Sequence, residues 1–264
     1  QPRMPLPDPN VHPTPAYLPS IHPIPLDDSS SIGNRNISSQ SAFIPSLLVC
    51  NPQSLTNCFD DFKKVINDKQ PDIAVVSETW FSENKPASDY NIDGYKMYND
   101  DREIRRGGGV AVYVKGDLES VEAQVKAPEE LECVWVELGD YVMVCGIYHP
   151  PSAPTAPLLM DQIVNTVLDI RNRSPGICTI IAGDFNNLHH ERLYSSLGLE
   201  NLVKEPTHAN SVIDLVLTDK PTAFVNPVLL PPIGKSRHHC VYVRPEPFMT
   251  DDANITSTLS QLKV

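Results

Sequence analysis

The β-branched, apolar run Ile180-Ile181-Ala182 stops abruptly at Gly183-Asp184-Phe185-Asn186. A segment of that kind reads as a buried strand that delivers polar groups to its open end, and chemistry is usually built at such ends. Side chains two residues apart on an extended chain point the same way. Asp184 can then take a proton from a water while Asn186 holds that water or a phosphate oxygen. The alternative is an Asp-Phe-Asn turn closing a core strand.

The same pattern recurs along the chain. Leu47-Leu48-Val49-Cys50 ends at Asn51, which is either a site residue or, with Pro52-Gln53-Ser54-Leu55, the cap of a helix. Leu55, Phe59, Phe62 and Ile66 carry the spacing of an amphipathic helix ending near Asn67 to Lys69. Pro71 restarts the chain, and Asp72 to Val76 is a second buried strand running into Ser77-Glu78-Thr79-Trp80. Glu78 is a solvated strand end or a metal ligand, since Mg2+ keeps several waters and needs only one or two protein carboxylates. A short strand is expected around Tyr95 to Tyr98. Arg102, Arg105 and Arg106 lead into Gly107-Gly108-Gly109 and an apolar run to Val114. No helix start or Lys-Ser/Thr follows, which excludes a P-loop. A hairpin strand with close backbone approach fits better, with the arginines able to meet phosphates at its rim.

Cys133 to Leu138 and Tyr141 to Ile147 flank Gly139-Asp140, a turn pair that predicts an antiparallel hairpin. Tyr148 ends the second strand, either capping it or donating its hydroxyl to a phosphate oxygen. Leu159, Ile163, Val167 and Ile170 predict a second helix, closed by Ser174-Pro175-Gly176. Between Leu188 and Leu202 the chain is helical or irregular, and His189, His190 and Glu191 face different ways, as a solvated cluster does. Asp214 sits inside the apolar run Val212 to Leu217 and needs a histidine or backbone donors as partner. Ser236-Arg237-His238-His239 opens the last strand, Cys240 to Val243. The whole reads as βαβ units mixed with hairpins.

Nine of the 26 prolines fall before residue 26, without hydrophobic periodicity, and a Ser/Asn-rich run follows to Ser41. Residues 1–44 are therefore expected to be a disordered Pro/Ser-rich linker, 45–245 a single folded domain and 246–264 a tail. Starting at Gln1 rather than Met, the chain is expected to be a piece of a longer polypeptide. No stretch approaches the roughly 18 consecutive apolar residues of a membrane span, and no charged start with an apolar segment marks a secretory signal. The six cysteines are scattered without a Cys-x-x-Cys pair and read as reduced core residues of an intracellular protein. The triplets at Asn36 and Asn254 are read as chance matches to the glycosylation pattern. A net charge of -12 counts against strong sequence-independent nucleic-acid binding, although a phosphate-cutting site carries carboxylates of its own.

In order, Asn51, Glu78, Tyr148, Asp184 with Asn186, Asp214 and His238 resemble the site set of the endonuclease/exonuclease/phosphatase superfamily. The closest look is to the apurinic-type endonuclease domain of LINE-type (non-LTR) retrotransposon polyproteins. The phrases Asn-Pro-Gln-Ser-Leu, Pro-Asp-Ile-Ala-Val-Val-Ser-Glu-Thr-Trp, Arg-Gly-Gly-Gly-Val-Ala-Val-Tyr-Val, Ile-Tyr-His-Pro-Pro, Gly-Asp-Phe-Asn, Glu-Pro-Thr-His and Ile-Asp-Leu-Val-Leu-Thr carry it across Leu47 to Val243. The tryptophan-flanked motifs of the inositol-phosphatase branch are not found. The resemblance implies a four-layer α/β sandwich of two packed mixed or antiparallel sheets flanked by helices. It implies a Mg2+ ion, or Mn2+ in its place, held by Glu78 and Asn51. Asp184 would align or deprotonate the attacking water with Asn186, and Tyr148 and His238 would stabilise the phosphate, with Asp214 fixing the imidazole. Asn51, Arg106, Thr207 and Arg237 are expected to contact substrate. Target DNA would be nicked to leave a 3'-hydroxyl for a reverse-transcriptase domain of the parent polyprotein, in the nucleus or from a cytoplasmic ribonucleoprotein before import.

Two positions depart from the pattern. Ser236-Arg237-His238 carries an arginine where the family reads Ser-Asp-His, which removes a carboxylate and adds positive charge near the expected metal. Weaker metal binding and reduced nicking follow, unless Arg237 meets a phosphate directly. His208 stands where the Pro-Thr phrase is usually followed by Arg. A decayed copy that only binds nucleic acid or protein, and a phosphatase of small or lipid phosphates, are the competing readings.

Overall fold

The computed structural model describes residues 43–102, 106–125 and 127–247. By backbone contacts the chain divides into Gln1–Gln40 and Ser41–Val264. The first unit, the expected linker up to residue 42, the tail beyond 247, Arg105 and both glycosylation triplets lie outside the described residues.

The described residues form two six-stranded sheets. The first has the order β11-β12-β1-β2-β4-β3, from β1 (Leu47–Cys50), β2 (Ile73–Ser77), β3 (Tyr95–Asp100), β4 (Val110–Lys115), β11 (Val228–Leu230) and β12 (Cys240–Val243). The second has the order β5-β6-β7-β8-β10-β9, from β5 (Ser120–Glu122), β6 (Glu132–Leu138), β7 (Val142–Tyr148), β8 (Cys178–Asp184), β9 (Glu200–Asn201) and β10 (Asp214–Thr218). Each sheet contains one parallel pair. β1 and β2 are joined through helix α1 (Leu55–Lys69), and β7 and β8 through α2 (Ala156–Arg173). A short helix α3 (Glu191–Leu197) follows β8. The remaining pairs, including the β6-β7 hairpin, are antiparallel.

Strand alternation sorts the apolar side chains into three cores. Leu47, Val49, Ile73, Val75 and Val112 of the first sheet meet Val134, Val144, Ile180, Ala182 and Val216 of the second. The opposite face of the first sheet, with Leu48, Ala74 and Val76, packs on Leu55, Phe62 and Ile66 of α1. The opposite face of the second, with Cys145, Ile147 and Ile181, packs on Leu159, Ile163 and Val167 of α2 and Leu193 of α3. The result is helix, sheet, sheet, helix. Burying one such side chain is worth about 1.5–3 kcal/mol, so the stack is held chiefly by these three layers.

Both parallel pairs end at the same edge, where the chain turns polar. The last two residues of β8 show how tightly that edge is drawn. Gly183 has φ +139, and a Cβ there would collide with the Ile147 carbonyl of β7. Only glycine lets the two strands close up beside Asp184.

Candidate active site

At this edge side chains from both sheets converge. Asn51, directly after β1, donates its amide nitrogen to Glu78 Oε1 at 3.0 Å and to Asp184 Oδ2 at 2.8 Å. Its side-chain oxygen accepts from the Gln53 backbone N–H at 2.9 Å, a local turn rather than the expected helix cap, since α1 starts at Leu55 with Ser54 at its N-cap. Asp184 also receives the Asn186 backbone N–H at 2.9 Å and the Asn186 amide at 3.0 Å, and that amide donates in turn to the His149 carbonyl at 3.0 Å. Opposite Asp184 in the β8-β10 register lies Asp214, whose Oδ2 is 2.9 Å from His238 Nδ1. Asp214 is the buried aspartate for which the sequence left a histidine or backbone donors as partner, and its Oδ2 meets the histidine.

The backbone here departs from easy geometry. Glu78, Trp80 and Asn186 all have positive φ, at 56°, 58° and 46°. A non-glycine residue in that region is strained by about 1–3 kcal/mol, and such strain gathers at functional sites. It is held by the Ser54 and Leu55 N–H groups on the Glu78 carbonyl, at 3.1 and 3.2 Å, and by the Trp80 N–H on the Gly108 carbonyl at 3.0 Å.

The electrostatics follow from crowding buried carboxylates. Burial first, and then the charge of Asp214, push Asp184 up to about 7, against the opposing pull of His238 and the Asn186 and Asn51 hydrogen bonds. For His238, burial favours the neutral ring. The Asp214 hydrogen bond and the charges of Asp214, Asp184 and Glu78 outweigh it, so its pKa is raised. Tyr148, directly beside Asp184 in the β7-β8 register, is pushed well above the ordinary phenol range by burial and by Glu78 and Asp184. Its hydroxyl therefore keeps its proton.

The other expected residues are placed differently. Thr207, read from the sequence as a substrate contact, is fully buried, and its hydroxyl accepts from the Ile213 and Asp214 N–H groups at 3.2 and 3.0 Å. It anchors the start of β10 and so Asp214. Asn51, expected as a metal ligand and substrate contact, donates its amide nitrogen to both carboxylates while its oxygen accepts the Gln53 N–H. Arg106 is exposed, with its guanidinium over the Trp80 ring at 5.5 Å. Arg237 is exposed beside His208, whose pKa is lowered by burial, by His238 and by Arg237. The His208 ring lies against His238, with centroids 4.4 Å apart. His189 and Glu191 are exposed, as their spacing predicts.

Several residues that hold the cluster were not singled out in the sequence. Ser77 ties the two sheets together, donating to the Ile147 carbonyl at 2.9 Å and accepting the Asp184 N–H at 3.0 Å. The signal was available, because Ile73 and Val75 face the inter-sheet core and period two puts Ser77 on that face. Ser236 accepts the His238 N–H at 3.0 Å and donates to the Asn51 carbonyl at 2.6 Å, fixing the imidazole to the first strand end. Arg102, by contrast, is one of the arginines that the sequence offered to phosphates at the rim; it pairs with Glu132 and lies over the Tyr148 ring at 5.6 Å.

Asp184, Asp214 and His238 each offer one ligand atom within 4.8 Å of the others. Asp214 Oδ1 is buried and, among the described residues, has no hydrogen-bond partner. An orphaned carboxylate oxygen in an oxygen-rich cluster fits a hard divalent cation. No helix of the described residues is long and apolar enough to cross a membrane.

Two sheets sharing one polar edge, with an amide-bridged carboxylate pair and an Asp-His dyad, define the α/β sandwich class to which this site belongs. Residues 36–238 match the Endonuclease/Exonuclease/phosphatase family, and the chain belongs to it. No curated protein matches the chain. Among solved structures, the AP endonuclease LMAP from Leishmania major is similar at 12% identity with a TM-score of 0.59, over 76% of this chain and 88% of that one. The endonuclease domain of TRAS1, a telomere-specific non-LTR retrotransposon, is similar at 16% identity and TM-score 0.59, over 77% of this chain and 99% of that one. The 3' phosphatase NExo from Neisseria, bound to product DNA hairpin, is similar at 15% identity and TM-score 0.59, over 77% of this chain and 100% of that one. These likenesses establish the shared fold.

Proposed function

We propose that this domain is a Mg2+-dependent DNA endonuclease, with Mn2+ able to replace Mg2+. It nicks a target strand to leave a 3'-hydroxyl from which a reverse transcriptase of the parent non-LTR retrotransposon polyprotein primes, in the nucleus. The observation that carries the reading is the Asn51 bridge between Glu78 and Asp184, set against the Asp214-His238 dyad across β8-β10. Retrotransposon phrases in the sequence and the similarity to the TRAS1 domain support the finer assignment.

Each side chain has a task that its surroundings suit. Asp184, its pKa lifted toward neutrality, accepts a proton from the attacking water, and Asn186 fixes the carboxylate. His238, whose protonated form Asp214 favours, and Tyr148, kept protonated, donate to phosphate oxygens as negative charge builds on them. A divalent cation held by Glu78 and the neighbouring aspartates would supply further charge neutralisation at the phosphate. Incubation of supercoiled plasmid with Mg2+ tests the reading: the protein should produce a nicked circle, and Asp184→Ala should not. Intact, folded protein that leaves the plasmid supercoiled removes it.

Arg237 favours a second reading, a copy whose cleavage has decayed while binding persists, because a guanidinium replaces a carboxylate beside the dyad. The same plasmid assay rejects it. Release of phosphate from soluble esters without nicking would instead favour a phosphatase.

A further inference from the structure

Trp80 lies where two features of the rim meet. Glu78 and Trp80, two residues apart, share the left-handed backbone that turns both side chains to one side. The indole Nε1 donates to Glu78 Oε2 at 3.1 Å, while Asn51 occupies Oε1 at 3.0 Å. Both oxygens of this carboxylate are thereby aimed. The face of the same indole carries the Arg106 guanidinium at 5.5 Å, and no carboxylate among the described residues pairs with that charge. Gly107, with φ +85, brings its backbone against the indole, where a Cβ would stand 3.4 Å from the ring. The Trp80 and Thr79 N–H groups bind the Gly108 and Gly109 carbonyls at 3.0 and 3.3 Å, which fixes this glycine turn under Arg106.

We infer that Trp80 is a positioning residue with two separable jobs: its N–H edge orients Glu78 for a divalent cation, and its ring face seats Arg106 to receive a DNA backbone phosphate. This rests on the nuclease reading above and adds to it the device that sets both groups. A planar guanidinium stacked on an aromatic face is preorganised for a phosphate, because its orientation is fixed before the ligand arrives. A carboxylate whose second oxygen loses its donor becomes a poorer ligand, and losses of that kind typically amount to about 10–100-fold in metal affinity.

The two jobs separate in the full chain by calorimetric titration with Mn2+ and by fluorescence anisotropy of a labelled DNA duplex in EDTA. Trp80→Phe keeps the ring and removes the donor; Mn2+ affinity should fall about tenfold, with duplex affinity within about twofold of wild type. Trp80→Ala should lose both. Arg106→Gln, at an exposed position, should weaken duplex binding about fivefold or more, as loss of a charge-assisted contact does, and leave Mn2+ affinity unchanged. Trp80→Phe that folds and binds Mn2+ like wild type overturns the inference, as does Arg106→Gln with undiminished duplex binding. Wild-type protein that binds neither Mn2+ nor duplex overturns the nuclease reading itself, and the inference with it.

Discussion

Asp184 and Asp214 stand directly opposite each other in the antiparallel β8-β10 pair, with 1% and 0% of their surfaces exposed. Like charges so placed repel, and the repulsion adds to burial in lifting Asp184 to about 7. The opposition makes the site acid-tolerant and charge-hungry at once.

A pH dependence of stability follows. Asp184 has a folded-state pKa above its ordinary value, so the stability it confers is full below 3.8 and is lost as pH rises through about 7. His238, also raised, acts in the same direction at higher pH. Without divalent cation, the melting temperature should fall between pH 5 and pH 8, and Asp184→Asn should flatten that fall. Mg2+ should restore stability most at the alkaline end, since the cation displaces a proton. Differential scanning calorimetry with and without EDTA measures this; an identical slope in Asp184→Asn would refute it.

Ser77→Ala should destabilise the domain by about 1–3 kcal/mol, because it strands the Ile147 carbonyl and the Asp184 N–H in the interior. Urea titration reads the loss. Plasmid nicking should fall further than stability alone accounts for, as Asp184 loses its backbone anchor.

Thr207→Val keeps the shape and removes the acceptor for two amides at the start of β10. It should lower stability by about 1–3 kcal/mol and reduce kcat with little change in KM, since Thr207 touches Asp214 and not the substrate. Thr207→Ser should recover most of both. A Thr207 variant defective in DNA binding alone would return this residue to the substrate surface.

Arg237→Asp should raise divalent-cation affinity and nicking rate, by removing a positive charge and supplying a carboxylate beside the dyad. Titration with Mg2+ under plasmid-nicking conditions measures both. A variant no more active at any Mg2+ concentration refutes the account of Arg237 as a weakened metal position.

The strand ends were legible because β-branched runs stop at polar residues, and Asn51, Glu78 and Asp184 each sit at such a boundary; Asp214, read as inside an apolar run from Val212, instead opens β10. Helices α1 and α2 were legible from their spacing, and the β6-β7 hairpin from Gly139-Asp140. The short strands β5, β9 and β11 were missed, since two or three residues carry no period. Thr207 was misplaced because a polar residue between Pro206 and His208 reads as an exposed turn, whereas tertiary burial decided its role. Trp80 escaped notice for a different reason. Its contact with Glu78 depends on left-handed backbone at two non-glycine residues, which local sequence does not announce.

The Ser77 tie between the sheets has a consequence for any partial breakdown of the molecule. Asn51 and Glu78 are supplied by one half and Asp184, Asp214 and Tyr148 by the other, so neither half carries a working fraction of the whole. A protease cut or local melting that lets the halves slide apart would silence the proposed cleavage, well before the helices unravel, and such activity is thus the most sensitive gauge of whether the sandwich is shut.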